Sequence, residues 1–247
     1  QIQGTGVLNT GPLNKLGGGE LIIDAATGSG ITRIGLNAGH TLITGGSEVT
    51  FGATTAGTIA QLGLASGAGQ VAGLTISGEG TRLVGTGTDP TDLSGGAGSQ
   101  STLTIEGGAA YVALTSGIRV HTPNSQGTAT INVLGEGSTL EAAGLSSVNG
   151  ASYFNVLDGA VVDISGSTTF GGAANTAFAN GQVTAIVSGE GSRWDTGSVL
   201  YMHRGSLSIL DGGVVTATTV NIGTTTSNFA TDFDVLVSGD GSELAAS

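Results

Sequence analysis

The sequence predicts an all-β protein, a parallel β-helix of about ten coils with roughly 25 residues in each coil. Three features lead to this prediction: two short motifs that alternate along the chain, alternation of apolar and polar residues before each motif, and 47 glycines among 247 residues. A unit of about 25 residues cannot bury its own apolar face, so successive units must stack on one another.

The first motif occurs four times and ends a predicted strand with a pair of glycines. Its copies have the sequences ISGEGTRL, VLGEGSTL, VSGEGSRW and VSGDGSEL, and they recur about every 54 residues. Glycine adopts positive φ without steric cost, so each Gly-x-Gly predicts a sharp corner between two strands. The corner glycines predicted from this motif are Gly78, Gly80, Gly135, Gly137, Gly189, Gly191, Gly239 and Gly241.

The second motif lies between the copies of the first and has the sequences LTIEGGA, FNVLDGA and LSILDGG. Its central glycines, Gly108, Gly159 and Gly212, predict a second set of corners. An apolar residue follows each corner and begins the next strand. Stacking then pairs each strand in parallel with the same strand of the next coil.

Other repeat folds do not fit these motifs. A propeller blade is a longer unit of four antiparallel strands. A leucine-rich repeat needs a leucine consensus, and calcium-binding solenoids need Gly-Gly-x-Gly-x-Asp in tandem; the sequence has neither. No window keeps the apolar spacing of an amphipathic helix for long enough to predict one.

Taken in order, residues 1–19 predict an irregular or partial coil, and residues 20–247 predict a single β-helix. Residues 85–100 form the longest departure from the repeat, so we expect them to protrude as a loop. A coil that stops at Ser247 would leave an open sheet edge, so we expect the chain to be part of a longer array. The residues predicted to point inward are Ile76, Leu83, Ile105, Ile131, Val133, Leu140, Val156, Ile186, Ile209 and Leu236.

Composition excludes several classes of partner. The formal net charge is −12 and only six residues are Lys or Arg, which argues against nucleic acid and anionic lipid surfaces. No apolar run approaches the ~20 residues of a membrane-spanning helix. The chain has no cysteine, and its histidines His40, His121 and His203 share no metal-ligand spacing. We therefore expect neither a metal nor a cofactor.

Catalysis is weighed against a structural role for each candidate group. Polysaccharide-degrading β-helices use carboxylates about 5–9 Å apart. Asp158 is matched by Asp211 in the next copy, which favours a corner residue, and Glu79 and its three counterparts favour a solvated corner. Trp194 is replaced by leucine in the other copies, which favours a core position. Asp163 is a candidate only as the partner of Asp158. Asp232 and Asp234 favour one solvated face, and His203-Arg204 favours a surface turn, so no catalytic residue is assigned.

The two motifs together resemble the autotransporter-associated β-helix repeats of bacterial type V secreted proteins. More narrowly, they are similar to the repeat shared with PEP-CTERM-associated proteins, V-x-G-x-G-S-x-W/L followed by D-G-G-x-V. The resemblance covers residues 74–247 and, more weakly, residues 20–73. The residues that carry it are Val187, Gly189, Gly191, Ser192, Trp194, Asp211, Gly212, Gly213 and Val215.

This resemblance implies a right-handed β-helix that serves as a passenger domain on the surface of a Gram-negative bacterium. It further implies a tether to the outer membrane through a barrel domain outside residues 1–247. Passengers of this kind are frequently adhesins, so we expect binding to a host cell-surface or matrix protein or glycan, through loops and flat faces. The alternative functions are a structural or self-associating stalk and, less favoured, a polysaccharide-degrading enzyme.

A ligand site is expected where the array departs from its own rule, because repeated positions are already committed to folding. The largest departure is the insertion at residues 85–100, whose polar, turn-forming residues are Asp89, Pro90 and Asp92. The sequence therefore predicts these three residues as ligand-binding.

Overall fold

The computed structural model describes residues 2–3, 7–8, 11–52, 61–121, 126–147, 149–171, 181–223 and 232–247. Within these residues the protein is a parallel β-helix, because every strand pairs in parallel with the equivalent strand of a neighbouring coil. No helix occurs among the described residues. Each coil has three walls, which we number in the order in which the chain passes through them.

The first wall is a ten-stranded sheet, which confirms the predicted number of coils. Strands are numbered along the chain. Those of the first wall are β1 (Ile2–Gln3), β4 (Glu20–Asp24), β7 (Gly39–Thr44), β10 (Val71–Ser77), β13 (Gln100–Glu106), β15 (Thr128–Leu134), β17 (Ala151–Leu157), β20 (Gln182–Ser188), β22 (Arg204–Leu210) and β24 (Asp232–Ser238).

The second and third walls belong to one 15-stranded sheet. The second wall contains β2 (Val7–Leu8), β5 (Thr27–Ile31), β8 (Glu48–Phe51), β11 (Arg82–Gly85), β18 (Val161–Ile164) and β25 (Glu243–Ala246). The third wall contains β3 (Pro12–Lys15), β6 (Arg33–Leu36), β9 (Leu62–Leu64), β12 (Thr91–Leu93) and β19 (Thr168–Phe170). Four long strands bend through both walls: β14 (Ala110–Val120), β16 (Thr139–Ser147), β21 (Arg193–Met202) and β23 (Val214–Ile222).

The described residues among the first 19 follow the same plan. Strands β1, β2 and β3 pair with β4, β5 and β6, so this segment contributes a strand to each of the three walls. The partial coil predicted from the sequence is therefore more regular than its glycine-rich composition indicates.

The core is a set of apolar columns that run along the axis in strict register. One column of the first wall contains Ile43, Ile76, Ile105, Val133, Val156, Val187 and Ile209, all at most 2% exposed. At one level of the rod, one aromatic ring from each wall fills the interior. Phe154, Phe170 and Trp194 have ring centroids 5.1, 5.8 and 5.3 Å apart. Trp194 is 2% exposed, in agreement with the predicted core position.

Two of the ten residues predicted to point inward do not. Ile186 faces outward beside Ser208, and Leu236 is 53% exposed, whereas their chain neighbours Val187 and Val237 lie in the inward column. Both errors occur in runs of consecutive apolar residues, where alternation does not identify the buried face. A shift of one residue moves a strand's side chains to the opposite face.

The first corner, between the first and second walls, is built by the two sequence motifs. In the first motif both glycines have positive φ, for example 98° at Gly189 and 82° at Gly191. In the second motif two consecutive residues do, 59° at Asp158 and 85° at Gly159. Aspartate is one of the few residues that tolerates this conformation, which accounts for its place in the motif.

A hydroxyl in the first motif joins neighbouring coils at this corner. The Gly159 amide donates to Ser192 Oγ at 2.9 Å, and Ser192 Oγ donates to the Ser188 carbonyl at 2.7 Å. The glycine that donates always belongs to the second motif or its counterpart, and the hydroxyl to the first motif of the following coil. The other bonds of this set are Gly46 to Thr81, Gly108 to Ser138 and Gly212 to Ser242, at 3.0, 3.1 and 3.1 Å.

Among the described residues, the third corner, between the third and first walls, repeats its backbone conformation but no single side-chain bond: φ is positive at Ala65, Ser94, His121, Gly171 and Gly223. Its buried hydrogen bonds differ from coil to coil: Ser94 Oγ bonds Ser101 Oγ at 2.8 Å, whereas Ser147 Oγ bonds Ser152 Oγ at 2.6 Å. The residues that first follow the third wall and bond back to the preceding coil are Ala65, Ser94, His121, Gly171, His203 and Gly223.

Candidate functional site

The insertion at residues 85–100 does not protrude, so that prediction was wrong. Residues 91–93 form β12, which pairs with β9 on one side and β14 on the other. Leu93 is fully buried, and the buried Thr91 hydroxyl is hydrogen-bonded to that of Tyr111, whose pKa is raised above its ordinary value by burial. The extra residues build a strand of the third wall because Leu93 supplies the apolar side chain that this wall requires.

Gln61 fixes the start of this segment. Its backbone amide donates to the Pro90 carbonyl at 3.1 Å, and its side chain donates to the Asp89 carbonyl. The same side chain accepts from the Gly87 amide at 3.0 Å. A buried glutamine in a region poor in apolar residues was the sequence signal for this contact, and it was missed.

Asp92, predicted as part of a polar tip, is only 8% exposed and lies in β12. Its carboxylate binds the Arg119 guanidinium through two bonds, from Nε at 2.8 Å and Nη2 at 2.7 Å. The hydrogen bond to Asp92 raises the pKa of Arg119, although partial burial opposes this shift. A bidentate pair of this kind fixes the plane of the guanidinium.

Arg119 and Pro90 line a shallow depression of about 290 Å³, which we call the corner groove. Gly117 and Gly144 lie side by side in it and leave room because they carry no side chain. The groove offers hydroxyl groups and one oriented guanidinium to a polar ligand. Its lining is completed by Ile118, Leu145, Ser146, Ser167 and Thr169. Thus Pro90 lines the groove and Asp92 orients Arg119, whereas the Asp89 carbonyl anchors the backbone.

The acidic side chains and the histidines are spread over the rod. Among the described residues, no group of three His, Asp or Glu could hold a metal ion. Sequence analysis missed one outward column in which Glu141, Asp163 and Asp195 lie on adjacent strands. Arg193 donates to Asp195, and its pKa is raised mainly by that hydrogen bond. The corner carboxylates Glu79, Glu136, Glu190 and Asp240 are exposed.

The three histidines lie far apart in the fold. His40 is on the outer face of the first wall, where its ring bonds Glu20 at 3.2 Å and Thr75 at 2.9 Å. His121 is fully buried at the third corner, with its ring nitrogens 3.4 and 3.2 Å from the Ser94 and Ala151 carbonyls. His203 is 8% exposed and its ring stacks on that of Tyr201 with centroids 6.0 Å apart, so the surface position favoured from the sequence was wrong for this residue. Burial lowers the pKa of both His121 and His203.

The outer face of the first wall is flat and mostly polar. Asn155 donates to Asn132 at 2.8 Å, and Asn132 donates to Thr104 at 3.3 Å, so amides and hydroxyls form a ladder across three strands. Tyr153 stands beside this ladder and is 44% exposed. A polar notch follows at the same wall, lined by Gln182, Val183, Thr184, Arg204, Gly205, Ser206, Asp232 and Asp234.

No helix among the described residues has the length and apolar character needed to cross a membrane.

Repeated corners, continuous apolar columns and polar outer walls define a class of protein, the stacked β-helix rod. This chain is similar to Adhesin BmaC autotransporter of Brucella suis biovar 1 (strain 1330), with 38% identity over 127 residues. The match covers 50% of this chain but only 4% of that much longer protein. It confirms the resemblance to autotransporter passenger domains. No family profile and no solved structure matches the chain.

Proposed function

We propose that this chain is part of a surface-exposed autotransporter passenger that acts as an adhesin. The similarity to an autotransporter adhesin of Brucella suis is the observation that carries the proposal. As a passenger it would lie outside the cell, tethered to the outer membrane. Its partner is a host cell-surface or matrix protein or glycan.

The architecture suits this role. Ten coils at about 4.8 Å each give a rod of roughly 50 Å with three flat walls, whose columns repeat surface chemistry along the axis. A rigid scaffold of this kind can present binding groups without reorganising. Single sites on such walls bind weakly, and many copies on one cell raise the effective concentration.

Adhesion rather than enzymatic activity is favoured by how the acidic groups are used. Asp158 and Asp211 shape corners, with φ of 59° and 52°, and Asp195 is bonded to Arg193 and Thr216. Each of these carboxylates therefore has a structural role in the coil. The carboxylates at the first corner, such as Glu190, are exposed to solvent.

The predicted role of Asp89, Pro90 and Asp92 is retained in altered form. We propose that the corner groove contributes to ligand binding through Pro90 and through the guanidinium that Asp92 orients. The Asp89 side chain is not assigned a contact with the ligand.

Adhesion is tested by displaying the chain on a non-adherent bacterium and counting cells bound to host epithelial monolayers and to immobilised matrix proteins. We expect adhesion above that of the undecorated strain. Clumping of the displaying cells in the absence of host material, without adhesion, would instead support a self-associating stalk and overturn the proposal.

The groove is tested by Gly144→Leu, because a Cβ at this position would meet the Ser167 carbonyl oxygen at 3.6 Å, an ordinary contact. The variant fills the groove without straining the backbone. A matched control is Leu114→Ala, since Leu114 is 57% exposed and does not line the groove. Equal adhesion of both variants would remove the groove from the proposal.

A further inference from the structure

Tyr153 interrupts a column of small or polar residues on the outer face of the first wall. The column crosses nine strands in register, and the residue at this position is threonine on both flanking strands, Thr130 and Thr184. Its other members are Glu20, His40, Gly73, Thr102, Ser206 and Asp234. The array thus departs from its own rule here, at a position that the core does not use.

Folding does not account for this tyrosine. Its neighbours Ser152 and Phe154 are buried at 1% and 2% exposure, whereas Tyr153 points outward and is 44% exposed. It is the single aromatic among the large apolar side chains that the described residues expose. Threonine on the adjacent strands shows that the wall forms without a ring at this position.

The surroundings of the ring are uncharged, although the whole chain carries a net charge of −12. The flanking strands place Thr130 and Thr184 beside it, and Ala151 and Asn155 lie two residues away on the same face. The diagonal neighbours are Thr128, Asn132, Gln182 and Ile186. Six of these eight neighbours therefore carry a hydroxyl or an amide, and Ala151 and Ile186 are the two apolar ones.

These polar groups are oriented before any ligand arrives. Asn155 donates to Asn132 at 2.8 Å, and Asn132 donates to Thr104 at 3.3 Å, so the amide planes are fixed by the ladder. Fixed groups lose less conformational freedom on binding.

We propose that Tyr153 is the stacking platform of a binding site for a neutral glycan. A sugar ring has one face of C–H groups, which packs on an aromatic ring, and a rim of hydroxyls, which both donate and accept hydrogen bonds. The exposed ring and the surrounding amides and hydroxyls match these two requirements. The proposal rests on the adhesin function proposed above and names its ligand class.

Other ligands fit less well. An acidic glycan would meet no cation among the nearest neighbours of the ring, since Arg204 lies in the notch together with Asp232 and Asp234, and it would be repelled by the net charge of −12. A protein interface requires roughly 800 Å² on each partner and a cluster of anchoring side chains, whereas Tyr153 stands alone among threonines and asparagines.

The polar notch extends the site along the same column. It has a volume of about 290 Å³ and is reached from Tyr153 through Thr184, Ser206 and Asp234, one strand at a time. With strands ~4.8 Å apart, Asp234 lies roughly 14 Å from the tyrosine position. An oligosaccharide that runs along the rod axis would stack one ring on Tyr153 and place hydroxyls of the next rings on Thr184, Ser206 and the notch carboxylates.

The test is an array of immobilised neutral oligosaccharides with terminal galactose, glucose, mannose and N-acetylglucosamine, with sialylated and sulfated counterparts beside them. Binding of the purified chain is then titrated with the strongest neutral oligosaccharide by isothermal calorimetry. We expect neutral glycans to be preferred, and Tyr153→Phe to bind within about threefold of the wild type.

Tyr153→Thr restores the residue of the adjacent strands, so it preserves the fold, and it should weaken binding by at least about tenfold. Leu114→Ala, on a different wall, is the control and should bind as the wild type does. The proposal is overturned if no neutral glycan binds, if acidic glycans are preferred, or if Tyr153→Thr binds as tightly as the wild type.

Cell adhesion separates this inference from the proposed function. Adhesion that survives in Tyr153→Thr while glycan binding is lost would leave the site in place and assign adhesion to another surface. If Tyr153→Thr adheres less than the wild type, but the wild type adheres equally well to periodate-treated host cells, the partner is a protein. That result would overturn the glycan proposal.

Discussion

The first and third corners of the coil both turn the chain from one wall to the next, but only the first corner repeats one side-chain hydrogen bond in the described residues. At the first corner one hydrogen bond is used repeatedly, from the glycine of one motif to the hydroxyl of the other, as between Gly159 and Ser192. At the third corner each coil has its own solution, a Ser94–Ser101 pair in one and a buried His121 in another. Backbone conformation repeats at both corners, with positive φ at Ser94 and His121 as at Gly159, so the third corner differs in that its side-chain contacts vary from coil to coil.

The largest expected effect comes from adding a methyl group just after the third corner. Gly205 has φ of 126°, and a Cβ there would lie 1.9 Å from the Val183 carbonyl oxygen, so Gly205→Ala must displace backbone. We expect destabilisation of about 3 kcal/mol or more, read from the urea midpoint of the circular dichroism signal. The matched change at the first corner is Gly46→Ala, where φ is 73° and nothing lies within 4 Å.

Gly46→Ala should lower the free energy of unfolding by about 1–2 kcal/mol, which is the cost of holding alanine in the left-handed conformation. Equal midpoints for the two alanine variants would mean that backbone contact does not distinguish the corners.

The shared bond of the first corner is tested by Ser192→Ala. Ser192 is 1% exposed, so its removal leaves the Gly159 amide without its acceptor, at a cost of about 1–3 kcal/mol. The control is Glu190→Ala in the same corner, where the exposed carboxylate should contribute less than about 0.5 kcal/mol. Similar losses for both variants would contradict a specific role for the hydroxyl.

The Asp92–Arg119 pair of the third wall occurs once and is expected to act locally. Asp92→Asn, Arg119→Met and the double variant form a thermodynamic cycle. We expect a coupling free energy of about 1 kcal/mol, because Arg119 is still 38% exposed and water screens the pair. A coupling free energy near zero would mean that Asp92 does not hold the Arg119 side chain in place at the groove.

The smallest effect is a pH dependence from the third corner. Burial holds the pKa of His121 below its ordinary value of 6.5, so the folded chain binds fewer protons than the unfolded chain just below that pH. Stability contributed by the neutral ring is present above pH 6.5 and is lost as the pH falls from 6.5 toward the lowered folded pKa. Between pH 7 and 6 this loss should be below about 1 kcal/mol.

His121→Asn removes the titration while keeping a residue that tolerates φ of 63°. The difference in melting temperature between pH 7.0 and pH 6.0 should therefore be smaller for the variant than for the wild type. His203, whose pKa is also lowered by burial, is replaced in a second variant to separate the two contributions.

The features that could be predicted from the sequence are those that the repeated motifs determine. The fold class, the number of coils and the buried positions of Ile105 and Leu140 follow from motifs whose hydrogen-bonding needs recur in every second coil. The face of Ile186 was mistaken because its strand has three apolar residues in succession, and only pairing with Ser208 decides which of them point outward.

The candidate site was harder to predict because it depends on contacts between residues far apart in sequence. No sequence feature near Asp92 predicts that Arg119, in the next coil, donates hydrogen bonds to both of its carboxylate oxygens. Residues 85–100 were expected to protrude because their length exceeded the repeat, but length alone does not reveal that Leu93 fills a core position. Tyr153 was visible as an outward aromatic only once the register of its strand was known.

The bond between the two motifs also constrains how such a rod changes in length. Its donor and its acceptor lie on neighbouring coils of opposite type, as Gly108 and Ser138 do. Deleting one coil would bring two corners of the same type together and leave a backbone amide without its hydroxyl acceptor. Deleting two coils preserves the alternation of the two motifs. Duplications and deletions in genes for this architecture are thus expected in steps of about 50 residues. Engineered rods should be cut and joined at equivalent points such as Gly108 and Gly159.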